Sequence, residues 1–159
     1  MKTYILSEME QMQAIIDSCS ICFVGMVDGD NCPYVIPMNF AFYGQSIILH
    51  SAPFGHHLDL IAKNNRVSVT FCSEGKLVYQ HQDVACSYRM DSRSVICKGA
   101  VAFVEDIARK EELLHVFMKK YTDRSFQYSL PALRNVKIWI IEVEEMTARA
   151  FGQKHSVNK

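Results

Sequence analysis

Apolar and polar positions change period several times along the chain. After Ser7, the apolar residues Met9, Met12, Ile15 and Ile16 recur at helical spacing, and Ser7 with Glu10 reads as an S-x-x-E capping box. This predicts a helix over 8–18. "SICFVGMV" (20–27), "PYVIPMNFAF" (33–42) and "IILHSA" (47–52) are strand-like runs separated by the turns "DGDN" and "YGQS", the first two forming a hairpin. Pro37 cannot donate to a ladder, so it points to an edge, a bulge or a strand that opens onto a ligand. A short helix is expected over 56–63. "RVSVTFC" (66–72) places Val67, Val69 and Phe71 on one face, and the stretch 77–92 is less regular. "SVICKGAVAFVED" (94–106) reads as a long strand whose Gly99 marks a bulge or the close approach of another backbone. Asp106 can cap a helix running to about Tyr121, with Ile107, Leu114, Met118 and Tyr121 on one stripe. One helical turn within 122–135 and a last strand over 136–146 complete the pattern.

Six or seven mostly antiparallel strands with two or three helices favour a small barrel. A parallel sheet would need a helix after nearly every strand. The chain is read as one domain over 1–150 with a frayed tail over 151–159.

Composition narrows the function classes. Lys plus Arg and Asp plus Glu number 17 each, so there is no blanket basic field for nucleic acid. No apolar run approaches a membrane span, and the N-terminus lacks a signal-peptide pattern, so a cytoplasmic protein is expected. In that compartment the six cysteines read as small buried hydrophobes rather than bridges. Cys19 and Cys22 have C-x-x-C spacing, but no second pair follows at zinc-ribbon distance and no metal is expected. G-x-S-x-G, G-x-G-x-x-G and P-loop patterns are absent.

"HSAPFGHHL" (50–58) is the chemically richest stretch. A strand, a Gly-containing turn and a helix start leave backbone N–H groups without intrahelical partners, and the helix dipole favours an anion there. His57, in the first turn, could add a charge-assisted bond if protonated. An ordinary surface connection with two solvated histidines is the alternative.

"YVIPMNFAFYGQSIILHSAPFGHHLDLIAKNNRVSVTF" (34–71), followed by "SRSVICKGAVAFVED" (92–106), resembles the pyridoxamine 5'-phosphate oxidase-like split barrels, specifically their nitroimidazole-resistance (Nim-like) flavin-nucleotide-binding branch. The resemblance covers roughly 5–150. It implies a mainly β fold, a six-stranded antiparallel split β-barrel with short peripheral helices. It also implies a homodimer holding flavin mononucleotide (FMN; flavin adenine dinucleotide is possible) at the subunit interface. Pro37, Met38, Asn39 and Phe40 would line the isoalloxazine, with His50, Ser51 and Ala52 continuing the cradle. Gly55, His56 and His57 would bind the phosphate, and Ser92, Arg93 and Ser94 would add polar contacts. The implied activity is transfer of reducing equivalents from NAD(P)H to a small electrophile such as a nitroaromatic. His50 is the candidate proton donor; closing a hydrogen bond at the strand end is its bland alternative.

Two departures stand out. Relatives carry G-x-K where this chain has His57, which predicts a pH-dependent phosphate contact. The R-x-V-L-L-K and R-L-x-P signatures of true pyridoxamine phosphate oxidases are missing, so vitamin B6 oxidation is not expected. Alternatives are a non-catalytic flavin carrier or sensor, and a haem-binding split barrel, for which His50, His56, His57, His81 and His115 are available. Trp139 is expected in the barrel core or a dimer contact.

Overall fold

The computed structural model describes residues 3–152. Its elements are β1 (Thr3–Leu6), α1 (Met9–Ser18), β2 (Cys22–Val27), β3 (Pro33–Met38), β4 (Ala41–Tyr43), β5 (Ser46–Ser51), α2 (His56–Lys63), β6 (Arg66–Cys72), β7 (Lys76–Val78), β8 (Arg89–Val104), α3 (Ile107–Lys119), α4 (Leu130–Arg134) and β9 (Lys137–Phe151). The antiparallel strands follow the path β3-β2-β6-β8-β9-β5-β4, with β1 on β9 and β7 on β8. The two ends of the path, β3 and β4, are consecutive in the chain. The sheet therefore curls until its edges meet at one corner, Asn39–Phe40, without laddering shut. This is the expected split barrel, built from nine strands rather than six.

That corner corrects the expectation of one strand over 33–42. The phenolic oxygen of Tyr121, just beyond α3, accepts the Phe40 N–H (2.8 Å) and lies 2.8 Å from the Phe40 carbonyl and 2.9 Å from that of Ser20. The backbone groups that would have continued the ladder are thus held by a side chain. Pro37 pairs opposite Phe23 on the edge strand β3, where its missing N–H costs no ladder bond.

Two cores flank the sheet. Inside the barrel, Ile15, Ile16, Val24, Phe40, Leu49, Val69, Phe71, Val95, Trp139 and Ile141 pack together. On the other side of β5 and β9, Ile48 and Ile138 pack against Leu113, Leu114 and Phe117 of α3. Val67, Val69 and Phe71 are all buried, as their alternation predicts. At Gly99 the β8–β9 register shifts, and a side chain there would strike the Glu142 carbonyl. Asp106 caps α3 by accepting the Arg109 N–H (2.8 Å).

Other expectations shift. The N-cap of α1 is Glu8, so Ser7 lies one residue too early for a capping box and its hydroxyl meets only the Glu8 carboxylate (3.5 Å). Met9 is exposed, whereas Met12, Ile15 and Ile16 are buried. In α3 the most buried side chains are Lys110, Leu113, Leu114 and Phe117; of the expected stripe Leu114 is buried, Ile107 and Met118 are half-buried against the same core, and Tyr121 lies beyond the helix and is exposed. Lys110, only 4% exposed, donates from its ammonium to the carbonyls of Val136 (2.8 Å) and Leu133 (3.3 Å) at the end of α4. β9 runs to Phe151, past the expected end at 146, because its last residues pair with both β1 and β8. The expected tail beyond Gly152 lies outside the described residues. Cys19, Cys22 and Cys97 are buried, but Cys32, Cys72 and Cys86 are exposed; all six are free. Burial pushes the Cys22 and Cys97 thiols up to about 12, which keeps them inert.

Candidate functional site

The helix α2 begins at His56 and ends at Lys63. Its N-cap, Gly55, has φ +139°, a conformation that side-chain-bearing residues rarely adopt. A Cβ there would also lie 2.6 Å from the His57 ring. That ring folds back over Gly55 and stacks on Trp139, with centroids 5.5 Å apart at 26°. Trp139 is fully buried and donates its indole N–H to the Ser51 hydroxyl (3.1 Å), which donates in turn to the Ala52 carbonyl (2.9 Å). Ser51, His57 and Trp139 thereby form one wall where the end of β5 meets the start of α2. His56 is exposed and meets Tyr34 of β3 edge-on at 5.1 Å, which brings β3 against the same helix start.

His57 is turned back toward the barrel. Burial pulls its pKa below the ordinary imidazole value, outweighing the opposing pull of Asp59. Its Nε2 is buried with no partner. The ring packs inward on Trp139, and burial makes it a poorer cation than a free imidazole. In the first turn the Leu58 N–H donates to the Gly55 carbonyl (2.9 Å), and exposed His56 stands beside it.

The remaining predicted residues fall in three places. Pro37 and Asn39 are exposed at the β3–β4 corner, with Met38 half-buried toward the barrel. The Asn39 side chain donates weakly to the Ser20 carbonyl (3.4 Å). Phe40 is not available as a lining residue: its ring is fully buried against Phe71 at 4.6 Å, and both its backbone groups meet Tyr121. His50 is exposed but rests edge-on against Phe117 (4.6 Å), on the α3 side of the sheet and opposite to Leu49. That partial burial lowers its pKa, so imidazolium is scarce at neutral pH. Ser92, Arg93 and Ser94 lie near the start of β8, whereas Val104, at its far end, pairs with Ile138, the partner of His50. At about 3.3 Å per residue, roughly 35 Å of strand separates the two groups. One chain does not bring them together along β8.

Sequence reasoning missed Tyr121 and the exposed Phe54, 76% accessible beside Gly55. The composition of "SAPFGHH" marks a loop, but nothing local says that its phenylalanine faces outward. Among the described residues, no group of three His, Cys, Asp or Glu side chains converges as a metal site. No described helix is long and apolar enough to cross a membrane.

An antiparallel sheet whose two edge strands meet at a corner without pairing defines a split barrel. The family profile described as pyridoxamine 5'-phosphate oxidase matches residues 8–150, and the chain belongs to that family. It is 42% identical to a candidate 5-nitroimidazole antibiotic resistance protein from Bacteroides thetaiotaomicron, with TM-score 0.86 over 94% of this chain and 87% of the other. A flavocytochrome from Azotobacter vinelandii (19% identity, TM-score 0.80, 94% and 70% covered) shares the fold. So does a protein from Mycobacterium smegmatis described as binding FAD and haem (15%, 0.78, 99% and 78%). Comparison with curated proteins gives no match.

Proposed function

We propose that the chain is a flavin-dependent oxidoreductase that binds FMN at the corner between β3, the end of β5 and the start of α2, and acts as a homodimer. What supports this reading is that His56 meets Tyr34 of β3 while His57, Trp139 and Ser51 join the start of α2 to the end of β5, in a fold shared with a protein described as binding FAD and haem. Pro37 and Asn39 offer a platform for a flat ring. The first turn of α2 offers N–H donors to a phosphate, where a protruding side chain at Gly55 would intrude.

A second copy supplies what one chain lacks. Pro37, Phe23, Thr70 and Ile96 form one row across β3, β2, β6 and β8. Phe23 is 40% and neighbouring Val35 57% exposed. Pro37 and Ile96 lie three strand spacings apart, roughly 14 Å. A partner docked on this face by a twofold axis would set its Ser92 and Ser94 near the first copy's Pro37. Arg93 has the parity of Val95 and faces inward, so it is not part of that contact.

Bound flavin would supply two-electron chemistry between NAD(P)H and a small electrophile such as a nitroaromatic. The protein's own contribution is position and dryness. Trp139 and His57 wall the helix start, and Ser51 fixes the indole. His50, neutral at pH 7, would accept or share a proton at the strand end rather than donate from a standing imidazolium. We place the protein in the cytoplasm, where both nicotinamides are found. The test is anaerobic oxidation of NADH or NADPH by purified protein with a nitroaromatic acceptor. Turnover that depends on added FMN supports the reading; bound flavin that neither nicotinamide reduces refutes the enzyme, leaving a carrier.

A further inference from the structure

β7 and the start of β8 form a two-stranded ribbon, with Leu77 opposite Met90 and Val78 opposite Arg89. Tyr79 and Tyr88 are the next pair in that register, and their rings stack with centroids 4.7 Å apart at 22°. Alternation puts Leu77, Met90, Tyr79 and Tyr88 on one side of the ribbon. Leu77, Tyr79 and Met90 are exposed. Among the described residues, none of 77–90 joins either hydrophobic core. The loop at the ribbon's end holds its own shape. Ser87 Oγ accepts the His81 N–H (3.1 Å) and donates to the His81 carbonyl (2.7 Å), while the Tyr88 hydroxyl donates to the Gln82 carbonyl (2.7 Å). This is a shaped apolar projection that its own chain does not bury, which marks an interaction surface.

Two observations say what covers it. Met90 has the parity of Ser92, Ser94 and Ile96 on β8, so the ribbon's apolar side continues the outward sheet face that carries Phe23 and Val35. The segments outside the described residues offer only Met1 and Val157 as apolar side chains, too few to cover four. A second copy brings the same apolar face by twofold symmetry.

We propose that the 77–90 ribbon of each copy closes over its partner's flavin rim, where Tyr79 stacks a planar aromatic electron acceptor. This rests on the flavin rim and homodimer proposed above. There the partner's Ser92 lies near the first copy's Pro37. Tyr88 stands four residues before Ser92, about 13 Å along the strand, so the ribbon begins at the rim and extends past it. The stacked tyrosines hold a flat, electron-rich face in a fixed position, which suits an electron-poor nitroaromatic.

The test uses the full-length protein, with light scattering, FMN titration and steady-state kinetics on nitrobenzene and on ferricyanide, an acceptor with no ring. Tyr79→Ser should raise KM for nitrobenzene at least tenfold relative to that for ferricyanide, and Tyr79→Phe should restore it. Mixed dimers carrying Gly55→Leu in one chain and Tyr79→Ser in the other keep a single working rim, covered by an intact Tyr79 from across the interface. They should show the wild-type KM for nitrobenzene; the raised KM of the Tyr79→Ser homodimer would overturn the proposal. Leu77→Asp should raise the dimer dissociation constant at least tenfold, and an unaltered dimer would also overturn it. A wild-type dimer that binds FMN and whose nitrobenzene KM ignores Tyr79→Ser sinks this proposal alone. A wild-type chain that stays monomeric or takes up no FMN sinks the flavin-dimer reading, and this proposal with it.

Discussion

Replacing Tyr121 by phenylalanine removes one oxygen from the corner where the barrel's edges meet. That oxygen accepts the Phe40 N–H at 2.8 Å and sits within hydrogen-bond distance of the Phe40 and Ser20 carbonyls. It has one hydrogen, so it makes two good bonds at a time, worth about 1 kcal/mol each net. Phe40 is fully buried, so its amide is also left short of a partner, a further cost of about 1 kcal/mol or more. Tyr121 itself is 37% exposed, and water can reach the Ser20 end and recover part of the loss. The expected destabilisation is about 2 kcal/mol. For a chain of this length that lowers the melting point by about 4–8 °C. Urea unfolding at fixed protein concentration measures it, since a dimer's stability depends on concentration. Asn39 shares the Ser20 carbonyl with Tyr121, so FMN affinity should fall as well. A change below about 0.5 kcal/mol would refute the reasoning and show that the corner is held by packing of Phe40 on Phe71 alone.

Three other outcomes follow from the same geometry. Lys110→Met keeps the length of the side chain but leaves the Leu133 and Val136 carbonyls without their donor, and should cost about 1–3 kcal/mol in chemical denaturation. Burial lowers the folded-state pKa of both His50 and His57, so below about pH 6.5 the unfolded chain takes up protons that the folded one refuses. Stability should therefore fall as pH drops from 6.5 through the two lowered values and then level off, and His57→Gln should flatten that slope in urea titrations; an identical slope would contradict the inward, neutral His57. Phe23→Asp puts a charge in the middle of the Pro37–Ile96 row and should yield a monomer by light scattering with weakened FMN binding, because Phe23 is half-exposed in one chain.

Elements set by local chemistry were readable in the sequence. The range 56–63 of α2 follows from the glycine turn before it and the amphipathic run within it. Asp106 caps α3 through its own first turn, and Gly99 marked the bulge because only glycine fits under the Glu142 carbonyl. What failed was set by distant partners. The break at Asn39–Phe40 depends on a hydroxyl 81 positions away, so "MNFAF" reads as uninterrupted strand. β1 and the last residues of β9 are strands because they pair with each other at opposite ends of the chain. In the site, the position of His57 in the first turn was legible, but its direction was not. The ring turns inward because Trp139, on the last strand, offers a face to stack on. Likewise "SRS" at 92–94 shows three polar residues in a row, but only the strand's pleat turns Arg93 to the face of Val95 and away from Ser94.

The claim that the rim of β3, β5 and α2 is a flavin site is tested most directly by the visible spectrum of the purified protein before and after titration with FMN, with mass identification of whatever chromophore denaturation releases. The account predicts flavin absorption bands, one FMN per chain, and saturation that is weakened by bulk introduced at Gly55. A protein that takes up no flavin, or that carries a haem Soret band instead, would contradict it.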